Sequence, residues 1–282
     1  MHASYKVLLF AALLLSSISS NAFSASFKLA LELVDGAQSQ AAPVTAQITP
    51  PLADFIVQPS IGGQVSTIDI DIYCSFFGAP IPDCEITNNP PVPAEPNTGG
   101  HNHSDSGRPL GKLEPLQGNS GSDAFLTVTY TAPDPAGVVR ISGSGFHPTY
   151  GFFSGTFTIG IMVPGLSELP ASSDYDRIGI KPIHPQSHFG TSSMLASLTG
   201  LAQKYSEAFP SYKLAINDIS LPFGGLFDLD ANWAPDHISH RLGTDADVHL
   251  VPADQREKLR RLIYRSGISK IIVHSNHWHL RQ

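Results

Sequence analysis

Charged residues are scarce in this sequence, and long apolar runs are absent. Only 15% of the 282 residues are charged and the net charge is −7, so the chain lacks the basic surface that nucleic-acid binding requires. No nucleic-acid partner is therefore expected. No apolar run approaches the roughly 20 residues of a membrane-spanning helix, so we expect no transmembrane segment in the mature chain. Gly and Pro are plentiful by contrast, which favours turns and short strands over long helices.

The N-terminal residues have the pattern of a secretory signal peptide. Lys6 precedes an apolar run from Val7 to Leu15, which small and polar residues follow up to Ala22. This run is too short to anchor the chain in a bilayer, and Ser20 and Ala22 satisfy the small-x-small cleavage rule. We therefore predict that residues 1–22 are removed and that the protein is exported to the periplasm or the extracellular space.

Cysteine is nearly missing, since Cys74 and Cys84 are the only two in the chain. In an exported protein they are expected to form a disulfide, which would contribute roughly 2–3 kcal/mol because it closes a short loop. The disulfide leaves neither a cysteine nucleophile nor a thiolate metal site. Any metal must therefore be held by His, Asp or Glu.

The region 23–165 is predicted to be an all-β module. Its candidate strands alternate apolar and polar residues or are rich in β-branched residues, and Pro/Gly turns separate them, as in a small sandwich. These strands are Ser66–Tyr73, Phe125–Thr131, Val138–Ser142 and Gly155–Val163. The phrase Thr129–Pro133 followed by Gly137 resembles the late strands of bacterial immunoglobulin-like modules, and this resemblance implies an immunoglobulin-like sandwich.

A Pro/Gly/Asn-rich stretch near 85–123 interrupts the strand pattern and is predicted to be a loop. It contains His101 and His103, a His-x-His pair of the kind that binds metals. No third ligand lies at a useful spacing, so we interpret the pair as part of a solvated polar loop.

The region 175–282, after a predicted linker at 164–174, is expected to be a separate α+β catalytic domain. Thr191–Phe209 and Ala253–Arg265 carry apolar residues at helical spacing. Strands are predicted at Leu214–Ser220, at 244–250 and from Lys270 onwards. Helices mixed with a few strands that are not adjacent in sequence indicate an antiparallel sheet with flanking helices.

Histidine is the unusual residue of this region, because five of the twelve lie in two short clusters near the C-terminus. The first cluster contains His240 and Asp247. The second contains His277 and His279, which would point to one face of a strand, with Trp278 on the other. Two imidazoles and one carboxylate, with a fourth position left to water, commonly hold catalytic zinc, which activates that water for hydrolysis.

The spacing of both clusters resembles the zinc signature of the lysostaphin/D-Ala-D-Ala-peptidase/hedgehog (LAS) type metallopeptidases. The match is sharpest to the penicillin-insensitive murein endopeptidases, and it covers roughly residues 175–282. The matching positions are His237-x2-His240-x2-Gly243-x3-Asp247 and His274-x2-His277-x-His279. The resemblance implies a single zinc ion, a peptidoglycan peptide as substrate and hydrolysis of its amide bonds.

The resemblance also implies a role for each matching side chain. His240, Asp247 and His279 would be the zinc ligands. His277 matches the position that faces the water or the developing oxyanion, and His237 and His274 match further histidines around it. The chain has no HExxH motif and no obvious glutamate base, so His277 is our first candidate for the general base and His274 the second.

Five further residues near these clusters have weaker claims. Asp245 is expected to be solvated, and His249 to pack or face solvent. His184 and His188 could rim the substrate cleft, but we favour an interpretation as surface histidines of a proline-containing turn. Ser239 is only a candidate hydrogen-bond partner for a metal ligand.

Two other functions fit the same sequence. The site could cleave ordinary proteins, or it could belong to a zinc-binding cell-surface or cell-wall protein without turnover. The candidate bases His277 and His274 argue against the second possibility, because a pure binding scaffold does not need them. The sequence makes no prediction of the oligomeric state.

Overall fold

The protein is described by a computed structural model. It covers residues 27–32, 53–76, 79–94, 98–235 and 237–282. The predicted signal peptide at 1–22 lies outside these ranges. Among the helices within them, none combines the length and the apolar character needed to cross a bilayer.

An eleven-stranded sheet forms the N-terminal part. Its strands are β1 (Phe27–Glu32), β2 (Phe55–Val57), β3 (Thr67–Phe76), β4 (Ala79–Ile81), β5 (Glu85–Asn88), β6 (Val92–Pro93), β7 (Lys112–Glu114), β8 (Gln117–Asn119), β9 (Leu126–Thr131), β10 (Gly137–His147) and β11 (Gly151–Ile161), with the short 3-10 helix η1 (Thr98–Gly100) after β6. The main strand order is β7-β9-β3-β1-β11-β10-β5-β8, while β2, β4 and β6 pair at the sides of this path.

The strands of this sheet follow the alternation in the sequence. Ile68, Ile70 and Ile72 of β3 are buried in the first hydrophobic core. Asp69, between them, instead accepts a hydrogen bond from the hydroxyl of Thr129 on β9 at 2.7 Å. The four predicted strands are confirmed, and the hairpin β10–β11 is longer than predicted because its pairing continues to the turn. The immunoglobulin-like identity of the module stays a prediction.

The predicted disulfide between Cys74 and Cys84 is present and buried, and its Cα atoms lie 6.3 Å apart. Gly145 of β10 lies directly against it. A Cβ atom at Gly145 would approach the Cys74 sulfur to 2.3 Å, so only glycine fits beside the bridge.

The interpretation of the region 85–123 as a loop is wrong in part. It contains four short strands, β5 to β8, and the turn η1. β5 pairs with both β10 and β8, and β7 pairs with β9. Strands of two to four residues are too short to show a period, so the sequence pattern did not identify them.

A five-stranded sheet with two helices forms the C-terminal part, in the order β13-β15-β16-β18-β17. The elements of this part are β12 (Ser167–Glu168), β13 (Tyr175–Arg177), β14 (Phe189–Gly190), α1 (Ser192–Ala208), β15 (Leu214–Ile216), β16 (Asp245–His249), η2 (Ala253–Gln255), α2 (Arg256–Arg265), β17 (Lys270–Val273) and β18 (His277–Arg281). The sheet is not wholly antiparallel as predicted, because β13 and β15 run parallel. Within the predicted linker, β12 pairs with β14 and Leu169 is fully buried in the second core.

Local sequence accounts for both helices. The hydroxyl of Thr191 caps α1 by accepting a hydrogen bond from the backbone N–H of Met194 at 3.2 Å. The apolar face of α1 is buried in the second core, as predicted. Helix α2 begins three residues later than predicted because its first turn is the 3-10 helix η2. Gly267, with φ +86°, ends it.

Residues 134 to 136, in the turn between β9 and β10, contact Gly225, Leu226 and Arg241 of the C-terminal part. Arg241, which is buried, forms an ion pair with Asp134. The backbone N–H of Leu226 donates to the Asp134 carbonyl at 3.0 Å. Gly225, at φ +69°, lies close to the same turn. A Cβ atom at position 225 would lie 2.6 Å from the Asp134 carbonyl oxygen, so the contact requires glycine. The two parts are therefore joined next to the segment that carries His240.

Candidate metal centre

The pairing of β16 with β18 brings the two predicted clusters together. In this antiparallel register Asp247 lies opposite His279, and His249 lies opposite His277. The predicted strand alternation is confirmed, because Trp278 points into the second core while His277 and His279 both reach Asp247. Asp247 is buried and forms the centre of the arrangement.

His240 reaches the same point from the long segment between β15 and β16. Its backbone has φ +66°, a left-handed conformation that is uncommon for a residue with a side chain and is concentrated at functional sites. Its Nδ1 lies 3.0 Å from the carbonyl oxygen of Ile219, which places the ring proton on Nδ1. Nε2 is then left with a lone pair that faces Asp247 Oδ1 at 3.3 Å.

His279 lies between two carboxylates. Its Nδ1 is 2.9 Å from Asp247 Oδ1, and its Nε2 is 2.9 Å from Asp245 Oδ1. Arg281 Nε donates to the same Asp245 oxygen at 2.6 Å. The expectation that Asp245 is solvated is therefore wrong: Asp245 is buried because β18 places His279 and Arg281 against it. Asp245 and Asp247 lie two residues apart on β16 and therefore share a face of the strand.

His277 lies at the open side of the centre and is partly exposed. Its Nε2 is 3.3 Å from Asp247 Oδ2. Its Nδ1 is 2.8 Å from the side-chain oxygen of Asn276, which keeps a proton on Nδ1 and a lone pair on Nε2. The exposed ring of His274 stacks on His277 with centroids 4.4 Å apart. On the opposite side, the ring of His237 lies 4.4 Å from that of His240.

The ionisation of these groups depends on their mutual contacts. Burial opposes ionisation of Asp247, but the neighbouring His240 and His279 hold the pKa of its carboxyl well below the usual range. Burial likewise opposes protonation of His279, yet Asp245 and Asp247 raise its pKa to about 9. Burial and the nearby His240 lower the pKa of His237 to about 4. Without a cation, a proton on His279 therefore balances the two carboxylates.

The residues present fit a metal ion. His240 Nε2 is buried and has no hydrogen-bond partner in the described part of the chain, although it faces Asp247. The separations of 3.3 and 2.9 Å between Asp247 Oδ1 and the two imidazole nitrogens are close to the roughly 3.3 Å edge of a tetrahedron of N and O ligands around zinc. His237 also offers a ligand atom, which lies within 4.8 Å of those of His240 and Asp247.

The other predicted residues lie apart from this centre. His249 is exposed, which agrees with the expectation that it packs or faces solvent. No contact within the described ranges supports Ser239 as a hydrogen-bond partner of a metal ligand. The interpretation of His184 and His188 as surface histidines is wrong, because both are buried. His188 Nε2 lies 3.2 Å from the carbonyl oxygen of Ile216, and His184 contacts Asp228 and His101. Chain segments distant in sequence cover them, which no local pattern reveals.

Asp218 is a buried acid near the centre that the sequence pattern did not single out. Burial raises its pKa to about 6, although the nearby His240 opposes this. Its carbonyl oxygen accepts the backbone N–H of Asp247 at 2.8 Å and so helps fix the position of that residue. Only its place in the predicted strand Leu214–Ser220 could have drawn attention to it.

Buried histidines and carboxylates that converge from a strand pair and a loop form a candidate metal centre. Residues 155–281 match the family model of the penicillin-insensitive murein endopeptidases. The match runs from within β11 into β18 and includes both histidine clusters, so the resemblance seen in the sequence is confirmed. No curated protein matches the chain.

Proposed function

We propose that this protein is an exported zinc peptidase that hydrolyses amide bonds in peptidoglycan peptides. The proposal is supported mainly by one observation, the convergence of His240 Nε2 and His279 Nδ1 on Asp247 Oδ1 within 3.3 Å. The family of the C-terminal part supports the substrate class. The region 175–282 would contain the catalytic site. The β module at 23–165, which we propose to be immunoglobulin-like, would bind substrate or the cell surface.

In this proposal His240, Asp247 and His279 hold the zinc ion. His279 is preferred over His237 as the third ligand because a carboxylate, Asp245, orients its ring, which is the usual support of a metal-bound imidazole. When bound, zinc polarises the scissile carbonyl and lowers the pKa of the attacking water. Zinc is favoured over other metals by the N/O ligands and by a site that keeps one side open.

His277 is the proposed general base. Its Nε2 faces the centre with a lone pair, since Asn276 fixes the proton on Nδ1. Burial lowers the pKa of His277, despite the opposing charge of Asp247, so the ring is neutral at pH 7 and ready to accept a proton. It can then pass this proton to the leaving amine. His274, stacked on His277, is the second candidate for this role.

His237 is the third proposed catalytic histidine. With its pKa near 4 it is neutral at pH 7, and its one N–H is available for a hydrogen bond to the substrate at the side of His240.

The test is a digest of purified sacculi by the mature protein, with the released fragments identified by mass spectrometry. We expect cleaved peptide cross-links or stems, loss of cleavage with a chelator or in His240→Ala, and recovery when zinc is added back to the wild type. Casein in a parallel digest separates a general protease from a cell-wall enzyme. Retention of cell-wall peptides without any cleavage would instead identify a zinc-containing binding protein, and a protein that binds no zinc would refute the proposal.

A further inference from the structure

A second group of histidines converges where the N-terminal sheet meets the C-terminal part. His101 and His103 come from the turn after η1, His184 from the segment before β14, and Asp228 from the segment before His237. The nitrogens His101 Nδ1, His103 Nε2 and His184 Nε2 lie 3.1, 3.4 and 3.1 Å from Asp228 Oδ1. His101 Nδ1 also lies 3.3 Å from His103 Nε2 and 3.2 Å from His184 Nε2.

The cluster is shielded from solvent. The side chains of His101 and His184 are 1% exposed and that of Asp228 is fully buried, while His103 is exposed by only 6%. The expectation that His101 and His103 lie in a solvated loop is therefore wrong. The third ligand that was missing from the local spacing is supplied by distant parts of the chain.

Hydrogen bonds alone do not satisfy this arrangement. Each contact with the ionised Asp228 oxygen needs a proton on the imidazole nitrogen, but three such protons would put N–H groups against each other at the short contacts of His101. If His101 Nδ1 carries no proton, its lone pair faces the carboxylate instead. Every distribution of protons over these atoms thus leaves at least one repulsive contact in a buried place, where it is costly.

One cation at the centre removes these conflicts. It accepts a lone pair from each of the three imidazoles and from the carboxylate oxygen. A tetrahedral zinc ion with ligands at about 2.0–2.1 Å has ligand–ligand edges of roughly 3.3–3.4 Å. The five measured separations of 3.1–3.4 Å match these edges.

The surroundings hold the ligands in this orientation. The backbone N–H of Trp233 donates to Asp228 Oδ2 at 2.8 Å, so that Oδ1 is left to face the histidines. The indole ring of Trp233 packs on both His101 and His103, and its N–H donates to the Ser104 carbonyl at 3.0 Å. His103 Nδ1 lies 3.3 Å from the same carbonyl, which leaves its Nε2 to face the cluster.

The far nitrogens of His101 and His184 face away from the cluster. Neither His101 Nε2 nor His184 Nδ1 has a hydrogen-bond partner within the described ranges. All polar contacts of these two rings therefore lie on the side of the cluster.

We propose that His101, His103, His184 and Asp228 bind a second zinc ion, which is structural. Four protein ligands complete the coordination and leave no position for water or substrate, in contrast to the first centre. The ion would tie the turn after η1 to the C-terminal part. Asn102 already bonds to this part, through its backbone N–H to the Ile183 carbonyl at 2.8 Å and through its side chain to the Pro182 carbonyl at 3.0 Å.

The second site also borders the first. The ring of Phe227 lies 5.1 Å from that of His184 and 5.4 Å from that of His237. The segment from Asp228 leads directly to His237 and His240. A metal ion on Asp228 would therefore fix the start of the segment that carries part of the first centre. The proposal itself does not depend on the catalytic role of that centre.

The decisive measurement is the metal content of the tag-free mature protein after gel filtration in metal-free buffer. We expect two zinc ions per chain in the wild type, one in the double variant His101→Gln/His103→Gln, and one in His240→Gln. His147→Gln, in the N-terminal sheet but in neither cluster, should retain two. A double variant with undiminished zinc would overturn the second site.

If the double variant does not fold, His240→Gln still tests the proposal, because this substitution changes none of the four ligands of the second site. It should retain one zinc ion, and a chelator should remove that ion and lower its melting temperature. One ion in the wild type and none in His240→Gln would refute the second site and leave the catalytic proposal standing. One ion in the wild type and one in His240→Gln would support the second site and refute the catalytic zinc.

Discussion

The carboxylate of Asp245 lies 2.9 Å from Nε2 of His279, on the side of the ring opposite Asp247. A carboxylate in this position fixes the ring orientation and makes the other nitrogen a stronger donor to a metal. We therefore expect Asp245→Asn to lower zinc affinity at the first centre by about 10–100-fold. Competition with a chromophoric chelator measures this change. Asp123→Asn, at an exposed acid in the turn between β8 and β9, should leave the affinity unaltered. An unchanged affinity in Asp245→Asn would show that the contact is incidental.

The raised pKa of His279 predicts how the metal-free protein responds to pH. The folded-state pKa of about 9 exceeds the unfolded value of 6.5, so the stabilisation from protonated His279 is complete below pH 6.5 and is lost as pH rises through 9. In chelator, the free energy of unfolding of the wild type should fall over this range relative to that of His279→Gln. Urea unfolding at pH 6 and pH 9.5 measures the difference, and parallel pH dependences in the two proteins would contradict the assignment.

Replacement of the proposed base separates catalysis from metal binding. His277→Gln should reduce kcat/KM for cleavage of cell-wall peptides by roughly 10²–10⁴-fold while the zinc content stays that of the wild type. His249→Gln is the matched control, because His249 lies directly opposite on β16 but is exposed. If His277→Gln retains full activity, His274→Gln tests the second candidate for the base.

The ion pair of Arg241 with Asp134 predicts a stability effect at the contact between the two parts. Asp134→Asn leaves a buried guanidinium without its charge partner, which should destabilise the protein by about 2 kcal/mol. This is less than for a fully buried pair because the Asp134 side chain is 30% exposed. Lys112→Gln breaks an exposed pair with Glu114 and should cost less than about 1 kcal/mol. Equal urea-unfolding midpoints for the two variants would contradict this prediction.

Local patterns predicted the elements that carry the first centre. Thr191 marked the start of α1, and the period of two in β16 and β18 placed Asp247, His277 and His279 on shared faces. These features depend on residues close in sequence, whose relative directions follow from backbone geometry alone.

Other features depend on which distant segments meet. The parallel pairing of β13 with β15 and the short strands between 85 and 123 exist only because partner strands lie beside them. The burial of Asp245 required β18 to bring His279 and Arg281 against it.

The sequence by itself therefore predicted the match to the peptidase family, both helices and the approach of the two histidine clusters, because the spacing of the histidines and aspartate resembles the signature of that family and strand alternation sets which side chains share a face. Only the tertiary structure decided that His101 and His103 meet His184 and Asp228. These residues come from three chain segments far apart in sequence, and no local periodicity relates such positions, since their approach depends on how two separate cores are packed together.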